Sequence, residues 1–537
     1  MAKEVNCDSI LAELGQFGRY QVLNYCLIMI PIMFSAVYNA QYVFNAGVVP
    51  HRCAVPECES PPYTYETGEW GLWALGSQCA RPAPSDDGAC AQGAFSTNQT
   101  VTCDKHVYGG HDTIVAEFDL ACQEWKRTLV GTIHSAGLFA ALPLTGYVSD
   151  TFGRRTAFVL TAVLAASMGL IRSFSVNYVM YLVFEFLDAM LGSGVYSTGF
   201  ILALEMVGLK RRVLGGNIIS SSFAIGQVIL ALVAWQVPYW RHLTRVLYVP
   251  SFLFIFYYFL VEESVRWLLS KGRKQEAAKI IYKAAAINKK ELSPESQKQL
   301  ESPDEPTEVA VTEQTSLSQP QKKSLFKQVV KSKILMSRLF ICSFWWITVT
   351  FIYYGLSINS VSLAGNRYVN FMLTSLVEIP GYALSVLTLD RFGRKSSIMT
   401  AFFVCGSALI ALPFVPAHLT WIHTCLTMLG KLCISMAFSS IYIYTSELFP
   451  TEARHSMLGT CSMIGRIGSI VAPQTPLLMQ IMVSLPYLIF GVMAGISGGL
   501  MLLTPETLRL RLPDTIEQAE AMVVAPRTTK RTDIIVD

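Results

Sequence analysis

Five ionisable side chains lie inside long apolar stretches of the sequence, where a charged group is costly to hold. They are His134, Glu185, Asp188, Glu378 and Arg466. Ionisable residues in hydrocarbon mostly serve a substrate, an ion or a proton. The guanidinium of Arg466 could make a bidentate contact to a carboxylate. An acid such as Glu378 and a base such as Arg466 that face one cavity would suit a substrate carrying both signs.

Structural roles are the alternatives for the same side chains. Arg466 could pair with an acid inside a helix bundle, and His134 could make a hydrogen bond between two helices. Gln227 is a plausible polar contact for a substrate and an equally plausible packing residue.

Large aromatic side chains are concentrated near residues 339–358. They are Phe344, Trp345, Trp346, Phe351, Tyr353 and Tyr354. Such rings hold organic ions of many shapes by stacking and cation–π contacts, each contributing roughly 0.5–2 kcal/mol. The alternative is that they pack against helices or face lipid. The predicted substrate contacts are Tyr353, Tyr354, Phe351, Trp346, Glu378, Arg466 and Gln227.

The composition indicates a membrane protein. Charged residues make up 15% of the chain, against about 25% in soluble proteins, and the mean hydropathy is +0.41. A membrane helix needs about 20 mostly apolar residues. Twelve such spans are predicted, near 22–43, 128–149, 156–173, 177–204, 213–236, 246–262, 339–358, 368–389, 397–414, 420–446, 456–480 and 484–503.

Two polar inserts divide the predicted spans. The resulting domains are a terminus at 1–21, six spans at 22–262 with a loop at 50–126, a linker at 263–338, six spans at 339–503 and a tail at 504–537. Within the linker, the pattern predicts an amphipathic helix at 270–287. The Pro/Ser/Glu/Gln-rich stretch 292–321 is predicted to stay mobile, because it offers little apolar surface to bury.

The distribution of Lys and Arg sets the expected orientation, because positively charged loops stay in the cytoplasm. Most basic span ends, including Arg154 and Arg155, fall on one side if both termini are inside. The exceptions, which fall outside, are Arg172, Arg241, Arg245 and Arg367. The run from 22 to 43 is too long for the apolar core of a signal peptide. We expect a multi-pass protein of the plasma membrane with both termini cytoplasmic.

Six of the 13 cysteines lie in the predicted extracellular loop: Cys53, Cys58, Cys79, Cys90, Cys103 and Cys122. An even number in an oxidising compartment predicts three disulfides, in one of 15 pairings that the sequence leaves open. A zinc site is the alternative, but no short Cys-x-x-Cys has a matching His cluster. Asn98-Gln99-Thr100 predicts a glycosylation site at Asn98.

A charged motif occurs in both halves of the chain. Asp150, Arg154 and Arg155 in the first half match Asp390, Arg394 and Lys395 in the second, at an offset of 390 − 150 = 240 residues. A second matched set is Glu205 with Arg212 and Glu447 with Arg454. Such a repeat predicts two related halves. The charges could pair across the two halves and bias one conformation over another.

The sequence resembles the major facilitator superfamily and, within it, the organic cation, anion and zwitterion transporters, including those of carnitine. The resemblance covers nearly the whole chain. It rests on the cysteine-bearing first loop after residues 50–53 and on the stretches 146–155, 263–269, 353–356, 446–451 with Arg454, 505–507 and 512–516. The departures are Thr151, where a base is usual, and Val386, where Gly is usual; they put the symmetry of the two motifs in doubt.

The resemblance implies an all-α major facilitator fold of 12 helices in two six-helix bundles. It also implies alternating access about a central site, with the repeated charged motifs as a cytoplasmic latch. Cation transporters of the family carry an acid at the place of Glu378. Its anion and carnitine branches carry an Arg at the place of Arg466. Several anion transporters have a Lys where Tyr382 stands here.

The expected function is transport of small organic ions, leaning to cations or zwitterions of carnitine type, with organic anions as the alternative. A receptor that keeps the fold without the transport cycle is a further alternative. No nucleotide loop, metal cluster or nucleophile triad appears in the sequence, so we expect no enzyme, catalytic residue, metal or cofactor. A net charge of +4 gives no reason to expect nucleic acid. The expected partners are the organic ion and membrane lipid; the coupling ion and oligomeric state stay open.

Overall fold

The computed structural model describes residues 7–15, 17–84, 89–208, 211–301, 331–416, 418–451, 453–508, 510, 513 and 515–522. These residues are mainly α-helical, and their short strands lie between the first two long helices. The chain divides into two compact units, Met1–Ser302 and Pro303–Asp537.

In the first unit, six of the described segments are long and apolar enough to cross a membrane. They are Arg19–Asn45, Glu124–Phe152, Arg154–Arg172, Tyr178–Glu205, Arg212–Gln236 and Trp240–Leu260. Three of them are composed of shorter helices: Arg19–Ala40 and Tyr42–Asn45; Tyr178–Gly192 and Gly194–Glu205; Trp240–Tyr248, the 3₁₀ helix Pro250–Phe256, and Tyr257–Leu260. Each segment overlaps one predicted span, numbered 1 to 6 in chain order.

Short helices of the first unit pack beside these spans. They are Cys7–Glu13, Val265–Ser270, Lys274–Asn288 and Pro294–Glu301. The predicted helix at 270–287 is therefore wrong at its start, because Gly272, at φ 74°, separates two helices. Part of the stretch predicted to be mobile also forms a helix. Leu292 and Leu300 are buried in one apolar cluster with residues of the other three short helices. The remainder of the stretch, 302–321, lies outside the described residues.

The second unit repeats the pattern. Its described segments of membrane length are Lys333–Ser362, Arg367–Phe392, Arg394–Phe414, Thr420–Leu448 and Leu485–Leu503. Their helices are Lys333–Asn359 with the 3₁₀ turn Ser360–Ser362, Arg367–Leu376, Glu378–Phe392, Arg394–Ala411 with Leu412–Phe414, Thr420–Leu448, and Leu485–Leu500 with Met501–Leu503. A short helix, Ile516–Ala521, follows.

The predicted eleventh span, 456–480, is helical but is not among the 11 apolar segments of the described chain. It comprises Arg454–Val471, the 3₁₀ helix Ala472–Gln474 and Thr475–Ile481. The first of these helices carries Arg454 and Arg466 together with several glycines and serines, so its hydropathy is low. Its position in the repeat makes it the counterpart of the fifth span.

The loop between the first two spans contains two small antiparallel sheets. His51–Cys53 pairs with His106–Tyr108, and Ala80–Pro84 pairs with Phe95–Thr102. Its helices are Gly71–Ala74, Ile114–Glu117 and the 3₁₀ turn Gln92–Ala94. Disulfides join Cys53 to Cys103, Cys58 to Cys90 and Cys79 to Cys122. Asn98 is exposed on the longest of the four strands.

A largely buried ion pair stabilises this loop. Arg52 donates to Glu59 at 2.7 Å, and the two side chains are only 8% and 10% exposed. Burial alone would raise the pKa of Glu59, but hydrogen bonds from Arg52 and from the Val55 N–H outweigh it and lower that pKa. The pair therefore stabilises the loop above the ordinary pKa of Glu, and this stabilisation is lost as the pH falls through the lowered value.

We predict that Arg52→Ala destabilises the loop by about 3 kcal/mol, because Glu59 is left largely buried without its partner. Hydrogen–deuterium exchange of residues 50–126 in the purified protein measures the change as faster exchange in both sheets. Arg273→Ala is the matched control, since Arg273 and Glu276 are 49% and 50% exposed and such pairs contribute about 0–1 kcal/mol. Unchanged exchange in Arg52→Ala would contradict the prediction.

Candidate functional site

A buried ion pair joins spans 8 and 10 of the second unit. Glu378, at the start of the helix Glu378–Phe392, is fully buried. Its Oε1 lies 2.9 Å from Nζ of Lys431, which is also fully buried. The hydroxyls of Tyr353 and Tyr382 donate to its Oε2 at 2.6 and 3.2 Å. The carboxylate expected to face a cation is therefore already neutralised within its own bundle.

Lys431 was missed by the sequence analysis, although it lies inside the predicted span 420–446. The rule that singled out Glu378, an ionisable residue within an apolar span, would have found it. Its ammonium also donates to the Tyr353 carbonyl at 3.1 Å and to Ser357 Oγ at 2.7 Å. The Tyr353 ring centre lies 3.4 Å from Nζ. Tyr353, which is 4% exposed, thus serves as the clamp on this pair.

Aromatic rings from spans 7 and 10 form a continuous group, which we call the aromatic wall: Trp346, Tyr353, Tyr354, Phe438 and Tyr442. Tyr353 stacks on Phe438 with ring centres 5.3 Å apart, and Tyr354 meets Tyr353 edge-on at 5.2 Å. Tyr442 contacts Trp346 at 4.4 Å. Tyr354 and Phe438 are half-buried and Tyr442 is exposed, whereas Trp346 is buried.

Phe438 and Tyr442 were not predicted, yet their spacing of four residues places them on one face of a helix. Phe351, which was predicted to contact substrate, does not join the aromatic wall. It is 7% exposed and packs edge-on against Phe490, with ring centres 4.9 Å apart. Span 7 therefore divides its aromatic residues between the core of the unit and the wall.

Arg466 lies on the helix Arg454–Val471, which packs closely against span 7. Gly465 permits this approach, because a Cβ at that position would lie 3.0 Å from Cβ of Trp346. Gly468 does the same beside the backbone of Ile347. The Arg466 side chain is half-buried and interacts electrostatically with Tyr442 of the aromatic wall. Within the described part of the chain, no carboxylate forms an ion pair with it.

In the first unit, the apolar spans hold a second group of buried charges. Arg172 at the end of span 3 contacts Glu185 and lies 3.0 Å from Oδ2 of Asp188, both in span 4. His134 of span 2 lies 2.8 Å from Oε1 of Glu185. Arg172, expected at the outer membrane surface, is therefore part of this buried group.

Gln227 of span 5 is 4% exposed and lies next to Gly226, which touches the backbone of Met33.

The repeated motif forms the same arrangement in each unit. In the first unit, Asp150 accepts from Arg154 at 2.7 Å, and Glu205 lies 3.5 Å from Nε of Arg154. The carboxylate of Glu263 accepts from the backbone N–H of Arg154 at 2.9 Å and of Arg155 at 3.1 Å. Glu263 thereby caps the start of span 3, where unpaired N–H groups and the helix dipole favour an anion.

The second unit reproduces each contact. Asp390 accepts from Arg394 at 2.9 Å, and Glu447 lies 3.4 Å from Nε of Arg394. Glu506 accepts from the backbone N–H of Arg394 at 2.8 Å and of Lys395 at 3.1 Å. The turn glycines Gly153 and Gly393 have φ values of 102° and 99°. The two motifs are equivalent in spite of their departures from the family pattern.

The other predicted gating residues have different partners. Nε of Arg454 donates to the Ser446 carbonyl at 2.7 Å, and Glu447 accepts from Thr507 at 2.5 Å. The guanidinium of Arg155 lies over the Tyr258 ring at 4.3 Å. Arg212 begins span 5. Among the described residues, the ion pairs of the motifs join side chains of one unit, so each motif stabilises its own bundle.

Comparison with known proteins identifies the family. The profile of the Major Facilitator Superfamily matches residues 123–473 and 354–529. The chain is 34% identical to the "Organic cation transporter protein" of Drosophila melanogaster, over 96% of this chain and 94% of that protein. It is 33% identical to "Solute carrier family 22 member 3" of Rattus norvegicus, over 96% of each. It is 30% identical to "Organic anion transporter 3" of Homo sapiens, over 96% of this chain and 93% of that protein.

A solved structure shares the fold. The inward-open xylose transporter XylE from E. coli aligns with a TM-score of 0.58 and 14% identity, over 93% of this chain and 99% of that one. At that identity the likeness bears on fold alone, and it agrees with the 11 helices of membrane length found in the described residues. The chain belongs to the Major Facilitator Superfamily and, within it, to solute carrier family 22, a family of multi-pass membrane transporters and not of enzymes.

Proposed function

We propose that this protein carries small organic ions across the plasma membrane by alternating access between two six-helix bundles, 22–262 and 339–503. The relatives named as organic cation and organic anion transporters support this function, since they match over nearly their whole length. The linker 263–338, the termini 1–21 and 504–537, and hence both chain ends, lie in the cytoplasm. The disulfide-bonded loop 50–126, with glycosylated Asn98, lies outside the cell.

The observation that carries the proposal is the position of Arg466. It is half-buried within a membrane-length bundle, beside the aromatic wall, and no carboxylate of the described residues neutralises it. A charge held in hydrocarbon without a partner is costly, and a carboxylate of the substrate would supply that partner through a bidentate contact. The half-buried ring of Tyr354 and the exposed ring of Tyr442 would hold an ammonium group by cation–π attraction.

This combination favours zwitterions or cations of carnitine type. Of the predicted substrate contacts, Tyr354 and Arg466 touch the substrate directly. Tyr353 and Trp346 support them from behind, and Glu378 acts only if the substrate's cationic group displaces Lys431. The side chains of Phe351 and Gln227 are buried, so they contribute least to substrate binding. Transport of organic anions is the second candidate, because the pairing of Glu378 with Lys431 leaves the positive charge of Arg466 in excess.

The repeated motifs act as the cytoplasmic latch. Asp150 with Arg154 and Arg155, and Asp390 with Arg394 and Lys395, fix the turn that joins two spans in each bundle. Glu205, Arg212, Glu447 and Arg454 extend these networks. Equivalent contacts in both units support a symmetric latch. Asp150 and Asp390 are largely exposed, and ion pairs with an exposed carboxylate contribute only about 0–1 kcal/mol each, so they can open without a large penalty.

An uptake screen in liposomes that contain the purified protein tests the function. Labelled cation, zwitterion and anion are offered separately, each with and without a sodium gradient. Fastest uptake of the zwitterion supports the proposal, and fastest uptake of the anion supports the second candidate. No flux of any organic ion, despite correct insertion, would contradict transport and favour a receptor.

We predict that Arg466→Ala lowers the uptake of carboxylate-bearing substrates by roughly 10- to 100-fold. The lost hydrogen bonds to a charged group are worth about 1.5–3 kcal/mol, and 1.4 kcal/mol corresponds to a factor of ten. Uptake of a simple cation falls much less. Initial rates at several substrate concentrations measure both effects.

Two variants control this experiment. Arg466→Lys keeps the charge but loses the planar guanidinium, so it retains part of the uptake. Arg367→Ala removes another arginine of the same unit, whose guanidinium contacts the hydroxyl of Tyr368, and it leaves uptake unchanged. An equal loss for cations and zwitterions in Arg466→Ala would show that Arg466 is structural.

We also predict that Lys431→Met destabilises the protein by about 3–5 kcal/mol, because Glu378 stays buried without its countercharge. Adding Glu378→Gln restores much of that stability, since the double variant buries no charge. Thermal unfolding of the purified protein in detergent measures both. Lys283→Met is the control, because the pair of Lys283 with Glu262 is largely exposed, at 57% and 28%. Equal stability of the single and the double variant would refute the pairing.

A further inference from the structure

The buried charges of the first unit form a closed network around Arg172, which we call the Arg172 cluster: Arg172, Glu185, Asp188, His134 and Tyr248. Besides its contacts to both acids, Arg172 donates to the Tyr248 hydroxyl at 3.1 Å. Tyr248 in turn donates to Oδ2 of Asp188 at 2.6 Å. Gln41 of span 1 accepts from Arg172 at 3.0 Å. Every one of these side chains is at most 4% exposed.

The charges of this cluster do not cancel. Two carboxylates and one guanidinium leave a net charge of 1 − 2 = −1 while His134 is neutral. The second unit provides an internal comparison, because its buried pair of Glu378 and Lys431 has equal numbers of acids and bases. An uncompensated buried charge is costly, and two carboxylates that share one site favour a proton on one of them.

Three buried atoms of the cluster have no hydrogen-bond partner among the described residues: Oδ1 of Asp188, Nε2 of His134 and Nε of Arg172. The carboxylate of Glu185 accepts from Nδ1–H of His134. Nε of Arg172 is a donor, whereas Oδ1 of Asp188 is an acceptor that a bound proton would satisfy. Glu185 has a partner on each oxygen, His134 on Oε1 and Arg172 on Oε2. Both partners of Asp188, Arg172 and Tyr248, contact Oδ2, so its Oδ1 is left unsatisfied. A proton is the ligand that both the charge and the geometry call for.

The groups that face Asp188 come from four neighbouring spans as well as its own. They are Tyr38 of span 1, His134 of span 2, Arg172 of span 3, Glu185 of span 4 and Tyr248 of span 6. Tyr42 lies against His134, and Tyr181 lies beside Glu185 and Arg172. Arg245 of span 6 contacts Ser173 and the Phe174 ring instead of either acid. Arg172 is therefore the one permanent cation among the described groups that surround Asp188.

We propose that Asp188 is an exchangeable proton site of the first bundle. It takes one proton from water at Oδ1, which changes the net charge of the Arg172 cluster from −1 to 0, and it returns that proton to water in another conformation. Oδ2 keeps its bonds from Arg172 and Tyr248 in both states. Glu185 stays ionised between Arg172 and His134.

One consequence concerns transport and rests on the proposed function. The Arg172 cluster carries a net negative charge when Asp188 is ionised and none when it is protonated. The free-energy difference between two conformations of the bundle therefore depends on whether the proton is bound. Organic-ion flux would then depend on external pH and carry protons with it. Proton binding itself does not require that any substrate be moved, so the two claims are separable.

Proton binding is tested by infrared difference spectroscopy of the full-length protein in liposomes, titrated with acid. The expected result is a carbonyl band of a buried carboxylic acid in the wild type, and loss of that band in Asp188→Asn. Asp104→Asn, at an exposed carboxylate of the outer loop, is the matched control and keeps the band. If Asp188→Asn does not fold, Asp188→Ala provides a second neutral site. A band that persists in the neutral variants, or that is lost instead in His134→Gln, would overturn the assignment.

Coupling is tested in the same liposomes with a labelled zwitterion outside and a pH-sensitive dye inside. The wild type is expected to show substrate uptake whose rate changes with external pH, together with proton movement. Asp188→Asn is expected to keep exchange at symmetric pH and to lose both effects. Substrate uptake without proton movement in the wild type would overturn coupling while leaving transport intact. Absence of any uptake would overturn transport, and the infrared result would still decide proton binding.

Discussion

The requirement that governs this structure is that a charge placed among membrane helices must find a partner. Hydrocarbon offers no hydrogen bonds and screens nothing, so each ionisable side chain is either paired within its bundle or must be matched by a ligand. Glu378 and Lys431 satisfy each other, and two tyrosine hydroxyls complete the carboxylate. Arg172 performs the same task for two acids in the other unit. The charges that these pairs do not neutralise are the candidates for a function.

The two halves place the acid and the base on opposite members of equivalent helix pairs. In the first unit, the base His134 lies on span 2 and the acid Glu185 on span 4. In the second unit, the acid Glu378 lies on span 8 and the base Lys431 on span 10. The polar contact between the second and fourth helices of each bundle is thus retained in the repeat while its chemistry is inverted. The motifs with Glu263 and Glu506 repeat without inversion.

Much of the fold could be predicted because its determinants are local in sequence. Apolar length predicted the spans, and the recurrence of Asp150 and Asp390 predicted the two halves. The eleventh span shows where length and hydropathy diverge: Arg466 and the glycines beside it make the helix polar on one face, yet those glycines bring it against span 7. The break at Gly272 was missed because an amphipathic pattern continues on both sides of it.

The candidate site was predicted only in part, because pairing is a long-range property. Glu378 and Lys431 lie 431 − 378 = 53 residues apart, and no spacing rule connects them. The same limit applies to Arg172 and Asp188, which belong to different helices. Tyr353 was expected to contact substrate, whereas its hydroxyl and its ring hold the Glu378–Lys431 pair.

An experimental structure with a bound zwitterionic substrate tests the central claim most directly, namely that Arg466 is the charge reserved for the substrate. The prediction is that the substrate carboxylate lies within hydrogen-bond distance of the Arg466 guanidinium, with its cationic group against the aromatic wall and Glu378 still bound to Lys431. A substrate whose carboxylate binds elsewhere, or an Arg466 that pairs with an acid of the protein in the bound state, would contradict it.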